Sequence, residues 1–269
     1  MTTTASPNPP SQLTFPTSSY NPRHSSFPYT SSDFARADPS PDNDFYASPR
    51  FVTHIDNHAI ALLRQYYDAN LPRRGRVLDL CSSWISHFPA ALERAALAFK
   101  KAKETGGDGD GGGQEQGLEV IGLGMNKAEL AANALLAATH LQDLNATPTL
   151  PASLAPLTAT TCVVSIDYLI HPLAVLSALH KVTAAGGKVH LVLSNRCFPT
   201  KAVGRWLRIS EEERVQMVGD YLWWSGWREV EVVEVCDGKG KGGWWGGRVD
   251  PLWVVRGTKV EEEGEKGEK

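Results

Sequence analysis

The sequence predicts a doubly wound α/β fold with a mostly parallel sheet, and three observations carry that prediction. Apolar runs of strand length alternate with amphipathic helical stretches along most of the chain. The run Arg76-Val77-Leu78-Asp79-Leu80-Cys81-Ser82-Ser83-Trp84 reads as a buried strand that ends in an acid and a turn of small polar residues. A ligand crevice begins in this way in such folds, outside the carboxyl ends of parallel strands and against backbone N–H groups. Two final alternating runs read as an antiparallel pair that closes a sheet of seven strands.

The elements follow in order. Ile55, Ala59, Leu62, Leu63 and Tyr66 share one face and predict a helix over 54–69, which Leu71-Pro72 ends. A strand over 76–80 is followed by a helix over 86–102, a strand over 119–123 and a helix over 127–137. Strands are expected around 139–142 and over 161–166. A helix over 172–183 stops at Ala184-Ala185-Gly186-Gly187, and a strand over 188–194 follows at once. Helices are expected over 201–208 and 211–224, and the closing strands over 228–236 and 251–256.

Composition bounds the rest. Residues 1–41 are rich in Ser, Thr, Pro and Asn and read as a disordered tail; 104–117 is a flexible Gly-rich insertion; 260–269 is a charged, disordered end. The domain proper is therefore expected over 42–259, with no internal repeat. A net charge of −3 gives no electrostatic reason to expect a nucleic-acid partner. Cys81, Cys162, Cys197 and Cys236 are scattered, with no CxxC and no His at ligand spacing, so neither a zinc site nor a disulfide framework is expected. No apolar run approaches membrane-spanning length and the start lacks a signal-peptide core; the expected location is cytoplasmic.

Four strand ends converge on one crevice if the strands are parallel. Asp79 with the Ser82-Ser83-Trp84 turn could hold the charged end of a cofactor, or simply form a helix entry with a capping Ser and Trp84 in the core. Gly122-Leu123-Gly124-Met125-Asn126 allows close backbone approach, and Asn126 suits either a ribose hydroxyl or a helix cap. In Gln142-Asp143-Leu144-Asn145, Asp143 could accept an amino group of adenine or form an Asx turn. At Ser165-Ile166-Asp167-Tyr168-Leu169 a strand leaves the core and places polar side chains over the crevice.

With these strand ends in place, the chain resembles the S-adenosylmethionine-dependent methyltransferases of the Rossmann-like class, over about residues 45–226. The resemblance lies nearest the ubiquinone-biosynthesis and type 11 branch. The strings Phe45-Tyr46, Pro49-Arg50-Phe51-Val52-Thr53-His54-Ile55-Asp56, Gly122 to Asn126 and Ser194-Asn195-Arg196-Cys197-Phe198-Pro199-Thr200-Lys201 resemble a poorly characterised methyltransferase-like group. The resemblance implies S-adenosylmethionine as cofactor and a small-molecule methyl acceptor. It implies cofactor contacts from Asp79, Ser82, Ser83, Trp84, Gly124, Met125, Asn126, Asp143, Leu144 and Ser165, with Asp79 near the methionine amino group.

The departures are specific. The family carries Asp-x-Gly-x-Gly-x-Gly after its first strand; the glycine places here hold Cys81, Ser83 and Ile85. The acid that closes the second strand and takes both ribose hydroxyls is replaced by Gly124. Losing that acceptor should weaken binding by roughly 1.5–3 kcal/mol unless Asn126, Ser82 or Ser83 takes its place. Asn195, Arg196 and Lys201, with Tyr46 and Arg50, are expected to bind an acceptor bearing an anionic or carbonyl group, against the plainer reading of a capped turn with solvated cations. His54 and Tyr168 are the candidate catalytic residues, although a lone His at a helix start is commonly a cap or a surface residue. Trp244-Trp245 could dock a protein partner or fold over the sheet edge. Two other functions remain open: a methyltransferase fold that binds without turnover, and an NAD(P)-dependent oxidoreductase using Gly122-x-Gly124-x-x-x-Ala128.

Overall fold

The computed structural model describes residues 14–105, 117–239, 241–242 and 247–261. Its strands are β1 (Thr17–Ser19), β2 (Gly75–Leu80), β3 (Leu118–Gly124), β4 (Ala138–Leu141), β5 (Leu157–Val163), β6 (Thr183–Ser194), β7 (Arg228–Cys236), β8 (Lys241–Gly242), β9 (Gly247–Arg248) and β10 (Leu252–Thr258). Its helices are α1 (Asp42–Phe45), α2 (Asn57–Asn70), α3 (Ala90–Glu104), α4 (Lys127–Ala132), α5 (Pro172–Val182) and α6 (Glu211–Trp224). Eight strands form one sheet in the order β1-β7-β10-β6-β5-β2-β3-β4, while β8 and β9 pair separately. Strands β4, β3, β2, β5 and β6 run parallel, β10 lies antiparallel beside β6, and β7 pairs antiparallel with β10 on its other side. This is the expected Rossmann-like doubly wound sheet with antiparallel final strands.

Pleating explains how both faces are covered. In β2, Val77 points to the α2–α3 side, among Leu63, Tyr67, Phe88 and Leu92, whereas Leu78 and Leu80 point to the α5–α6 side, among Leu176, Leu179, Tyr221 and Leu222. Capping sets where the helices begin: Asp56 accepts from Ala59 N at 2.8 Å, and Ser210 accepts from Glu213 N at 3.2 Å.

The eighth strand corrects the reading of the N-terminal segment as a disordered tail. Thr17–Ser19 pairs with β7, and Tyr20 is buried against α6, where its phenol donates to Asp220 at 2.5 Å. Tyr29 donates to the other oxygen of Asp220, also at 2.5 Å. The low apolar content of 1–41 hid this, because a few aromatics supply the docking rather than a periodic pattern.

Local differences are smaller. The helix expected over 201–208 is a run of turns, and the one over 127–137 stops at Ala132, where Asn133 donates its N–H to Glu129 O. Thr183, read as the end of a helix, and residues 184–187, read as its stop, already belong to β6, and 166–168 form a single 3-10 turn after β5.

Candidate functional site

A cavity of about 360 Å³ opens at the carboxyl ends of the parallel strands. It lies where the strand order reverses, since β3 and β4 follow on one side of β2 and β5 and β6 on the other. Open α/β sheets place ligands at this switch point, and the volume falls within the range of small-molecule sites.

The turn after β2 forms one wall. Asp79 is buried, and Ser82 Oγ and Ser86 Oγ both donate to its Oδ2 at 2.7 Å. Burial pushes its pKa up to about 6 even though these hydroxyl bonds favour the charged form. Ser82 N donates to Leu123 O at 2.8 Å, so the turn stays zipped to β3 two residues beyond the end of β2. Cys81, at the first glycine place, has φ 57°, in the left-handed region that favours glycine. His87 (φ 55°) and the β-branched Val164 (φ 41°) share that strain, and all three line the cavity. Backbone strain of this kind concentrates at ligand sites.

The end of β3 departs from the expected role of its glycines. A β-carbon on Gly122 would meet Leu136 Cδ1 at 2.4 Å, and one on Gly124 would meet the Ser82 carbonyl oxygen at 2.2 Å. The close backbone approach is therefore made by the chain's own residues, not left open for a ligand. Asn126 lines the cavity with its amide fully engaged. Its Oδ1 accepts from Ala128 N and Glu129 N, and its Nδ2 donates to Tyr46 O at 2.9 Å and Ala47 O at 3.3 Å. Asn126 is thus both a helix cap and an anchor for the segment above the cavity.

At the end of β4, Asp143 Oδ1 accepts from Asn145 N at 2.8 Å and Ala146 N at 3.2 Å, an Asx turn. Its Oδ2 takes no hydrogen bond among the described residues. Leu144 is buried beside it, and Met125, Ser83 and Ser165 complete this part of the lining.

Residues 42–56 cover the crevice. Asp42 is buried and accepts both Arg36 Nη1 contacts at 2.8 Å and Asn145 Nδ2 at 2.8 Å. Burial opposes its ionisation, but Arg36, Asn145 and Lys201 together hold its carboxyl below the usual range. Arg50 N donates to Glu129 Oε1 at 2.6 Å, and its guanidinium lies 4.3 Å from the Phe45 ring and 5.2 Å from Phe198. No carboxylate lies within salt-bridge reach of Arg50 among the described residues, and its Nη1 is buried without a hydrogen-bond partner. His54 packs edge-on against Phe198 at 5.5 Å, and burial pulls its pKa below the ordinary value. Tyr168 Oη accepts from Phe198 N at 2.9 Å, and burial pushes its phenol well above the usual range.

Most of the predicted site residues meet at this cavity: Tyr46, Arg50, His54, Asp79, Ser82, Ser83, Gly124, Met125, Asn126, Asp143, Leu144, Ser165, Tyr168 and Arg196 all line it. Three do not. Trp84 turns away, donating Nε1–H to Val52 O at 3.0 Å and packing against Phe51. Asn195 is exposed, its side-chain oxygen accepting only a long bond from Ser194. Lys201 is wholly buried, donating to Ser40 O at 2.8 Å and pairing with Asp38 at 3.1 Å and Asp42 at 3.3 Å. The cation read as solvated or substrate-binding is consumed in holding the covering segment, because Asp42 of that segment and Asp38 just before it meet it. Arg196 lies at the rim, 60% exposed, with Nε on Asp250 at 2.7 Å. Trp244 and Trp245 lie outside the described residues.

Sequence reasoning missed Asp42, Glu129, Asn145 and Phe198, all of which line the cavity. Glu129 carried a signal that pointed elsewhere: three residues after a capping Asn, it reads as a capping-box acid. Among the described residues no group of three or more His, Cys, Asp or Glu is placed to hold a metal ion, and no helix is long and apolar enough to cross a membrane.

No protein-family model matches the sequence, and no curated protein matches it. Solved structures of S-adenosylmethionine-dependent methyltransferases are similar at low identity. One is a possible histamine N-methyltransferase from Thermotoga maritima, with 16% identity, TM-score 0.47, and coverage of 75% of this chain and 90% of that one. TehB from Haemophilus influenzae has 16% identity and TM-score 0.43, with 81% and 66% covered. A phosphoethanolamine N-methyltransferase from Haemonchus contortus has 14% identity and TM-score 0.43, with 76% and 53% covered. The chain spans little more than half of that protein and 57% of the methyltransferase SibL. The fold class rests on the strand order and directions of the sheet itself.

Proposed function

We propose that this cavity binds S-adenosylmethionine and that the chain transfers its methyl group to a small-molecule acceptor. The observation that carries this reading is the convergence, at the switch point of the sheet, of the strand-end segments that the family resemblance assigns to the cofactor. Asp79 with its serine turn suits the amino-acid end, Leu144 and Met125 offer apolar faces for a base, and Asp143 Oδ2 is open to an amino group. The lining therefore fits the cofactor except at the closed Gly124 place. Bound there, the cofactor would supply an electrophilic methyl group on a sulfonium.

The protein's own contribution is alignment and exclusion of water. The covering segment, held through Asn126, Glu129 and Lys201, closes the crevice from above. Arg50, whose Nη2 donates to Phe45 O at 3.0 Å, keeps Nη1 for an anionic or carbonyl group of the acceptor. His54, kept neutral by its burial, has the lone pair needed to take the proton that an acceptor O–H or N–H loses on methylation. Tyr168 orients the Phe198 loop and retains its own O–H for donation.

The test is calorimetric titration with S-adenosylhomocysteine and, separately, NADP, with melting curves alongside. Binding of S-adenosylhomocysteine with a raised Tm is expected. No response to it at millimolar concentration, together with a clear NADP shift, would overturn the reading in favour of an oxidoreductase. The glycines of Gly122-Leu123-Gly124 weigh against that outcome, since each is occupied by a neighbour of the same chain. Binding without turnover is the second reading, favoured by the missing strand-end acid.

A further inference from the structure

The acid that the family places at the end of its second strand cannot stand at position 124 in this fold, because any β-carbon there collides with the Ser82 carbonyl oxygen. Of the substitutes suggested by the sequence, Ser83 offers only a neutral hydroxyl, and the other two are already engaged. Both ends of the Asn126 amide are bonded, and Ser82 Oγ is given to Asp79.

Four carboxylates line the cavity. Asp42 is saturated by Arg36, Asn145 and Lys201. Asp79 is buried beneath Ser82 and Ser86. Asp143 belongs to the end of β4, one strand further out. Glu129 remains, one helical turn beyond Asn126 on α4 and so still at the end of β3. Its place in the sequence suits a capping box, in which it would reach back to Asn126 N. Instead its Oε1 accepts from Arg50 N at 2.6 Å, and its Oε2 takes no hydrogen bond among the described residues.

We infer that Glu129 is the ribose-binding acid of this protein, displaced from the strand end to the first turn of α4. Because its other oxygen holds Arg50 N, the same carboxylate ties the covering segment to the cofactor's sugar. The inference rests on the cofactor reading above and adds to it a residue and a link that the reading does not require. Asn126 then has a clear part: it caps the helix that presents Glu129 and pins Tyr46 and Ala47 over it.

The experiment is calorimetric titration of S-adenosylhomocysteine and of its 2′,3′-dideoxy analogue into the wild-type protein and Glu129→Gln. The glutamine keeps a carbonyl oxygen for Arg50 N while removing the charge and one acceptor. The wild type should bind S-adenosylhomocysteine roughly ten- to a hundredfold more tightly than the variant, the scale of a charge-assisted hydroxyl pair. The two proteins should bind the dideoxy analogue equally, and their melting temperatures without ligand should agree. Wild-type binding that Glu129→Gln leaves within about twofold would overturn the inference and leave the cofactor reading standing. Equal losses for both ligands would also overturn it, by showing that Glu129 acts only through the covering segment. Absence of wild-type binding to S-adenosylhomocysteine would remove the cofactor reading and this inference with it.

Discussion

Gly124 lies so close to Ser82 that a β-carbon on the first would sit 2.2 Å from the carbonyl oxygen of the second. The turn after β2, which holds Cys81, Ser83 and Ile85 at the glycine places of the pattern it resembles, packs onto the end of β3, where a glycine leaves room for it. Both places where the sequence differs from the pattern it resembles meet at this contact. Gly124→Asp should lower stability by about 1–3 kcal/mol through overpacking, and it should not tighten S-adenosylhomocysteine binding. Urea denaturation and calorimetry check this. A variant of unchanged stability and higher affinity would show that the turn yields freely.

Asp143 divides its two oxygens between a turn and the cavity. Asp143→Ala should therefore cost about 0.5–1.5 kcal/mol of stability and weaken S-adenosylhomocysteine binding by about 1–3 kcal/mol. Asp143→Asn keeps the oxygen that accepts from Asn145 N and Ala146 N, so its stability should match the wild type while its affinity falls as in the alanine variant. Wild-type affinity in Asp143→Asn would show that the residue serves the turn alone.

Asp167 is buried, its Oδ2 has no hydrogen-bond partner among the described residues, and burial pushes its pKa up to about 8. The folded protein thus holds this proton over a pH range in which the unfolded chain, with an ordinary carboxylate near 3.8, has released it. The sign follows: the group's contribution is fully present below pH 3.8 and is lost as pH rises through 8. Asp167→Asn should remove that loss. Its stability relative to wild type, read from urea midpoints, should grow by about 1–3 kcal/mol between pH 5 and pH 9. Parallel pH profiles would show that Asp167 is hydrated or paired in solution.

Tyr20 and Tyr29 both donate to Asp220, and through them the N-terminal segment is fastened to α6. Asp220→Ala leaves one buried and one half-buried phenol unpaired and should cost about 2–4 kcal/mol. In hydrogen exchange the Tyr20 amide, which donates to Val230 O, should lose its protection while the amides of β2 and β3 keep theirs. Unchanged protection at Tyr20 would mean that strand pairing, not the phenols, holds the segment.

The sequence by itself determined the parallel core, because strand and helix periods fix which face of each element must be buried. It also marked the strand ends where ligands collect: Asp79, Asn126 and Asp143 all reach one cavity. Tertiary structure alone decided what each of those residues has left to offer. Lys201 looked like a solvated or substrate-binding cation until the fold brought Asp38 and Asp42 to it. Glu129 drew no attention in the sequence, and its role emerges only because Arg50, 79 residues away, supplies the N–H that it accepts from. Residues 17–20 looked unstructured until β7 offered an open edge. Local pattern reports burial and period; it cannot report which hydrogen bonds a side chain has already spent on groups distant in the chain.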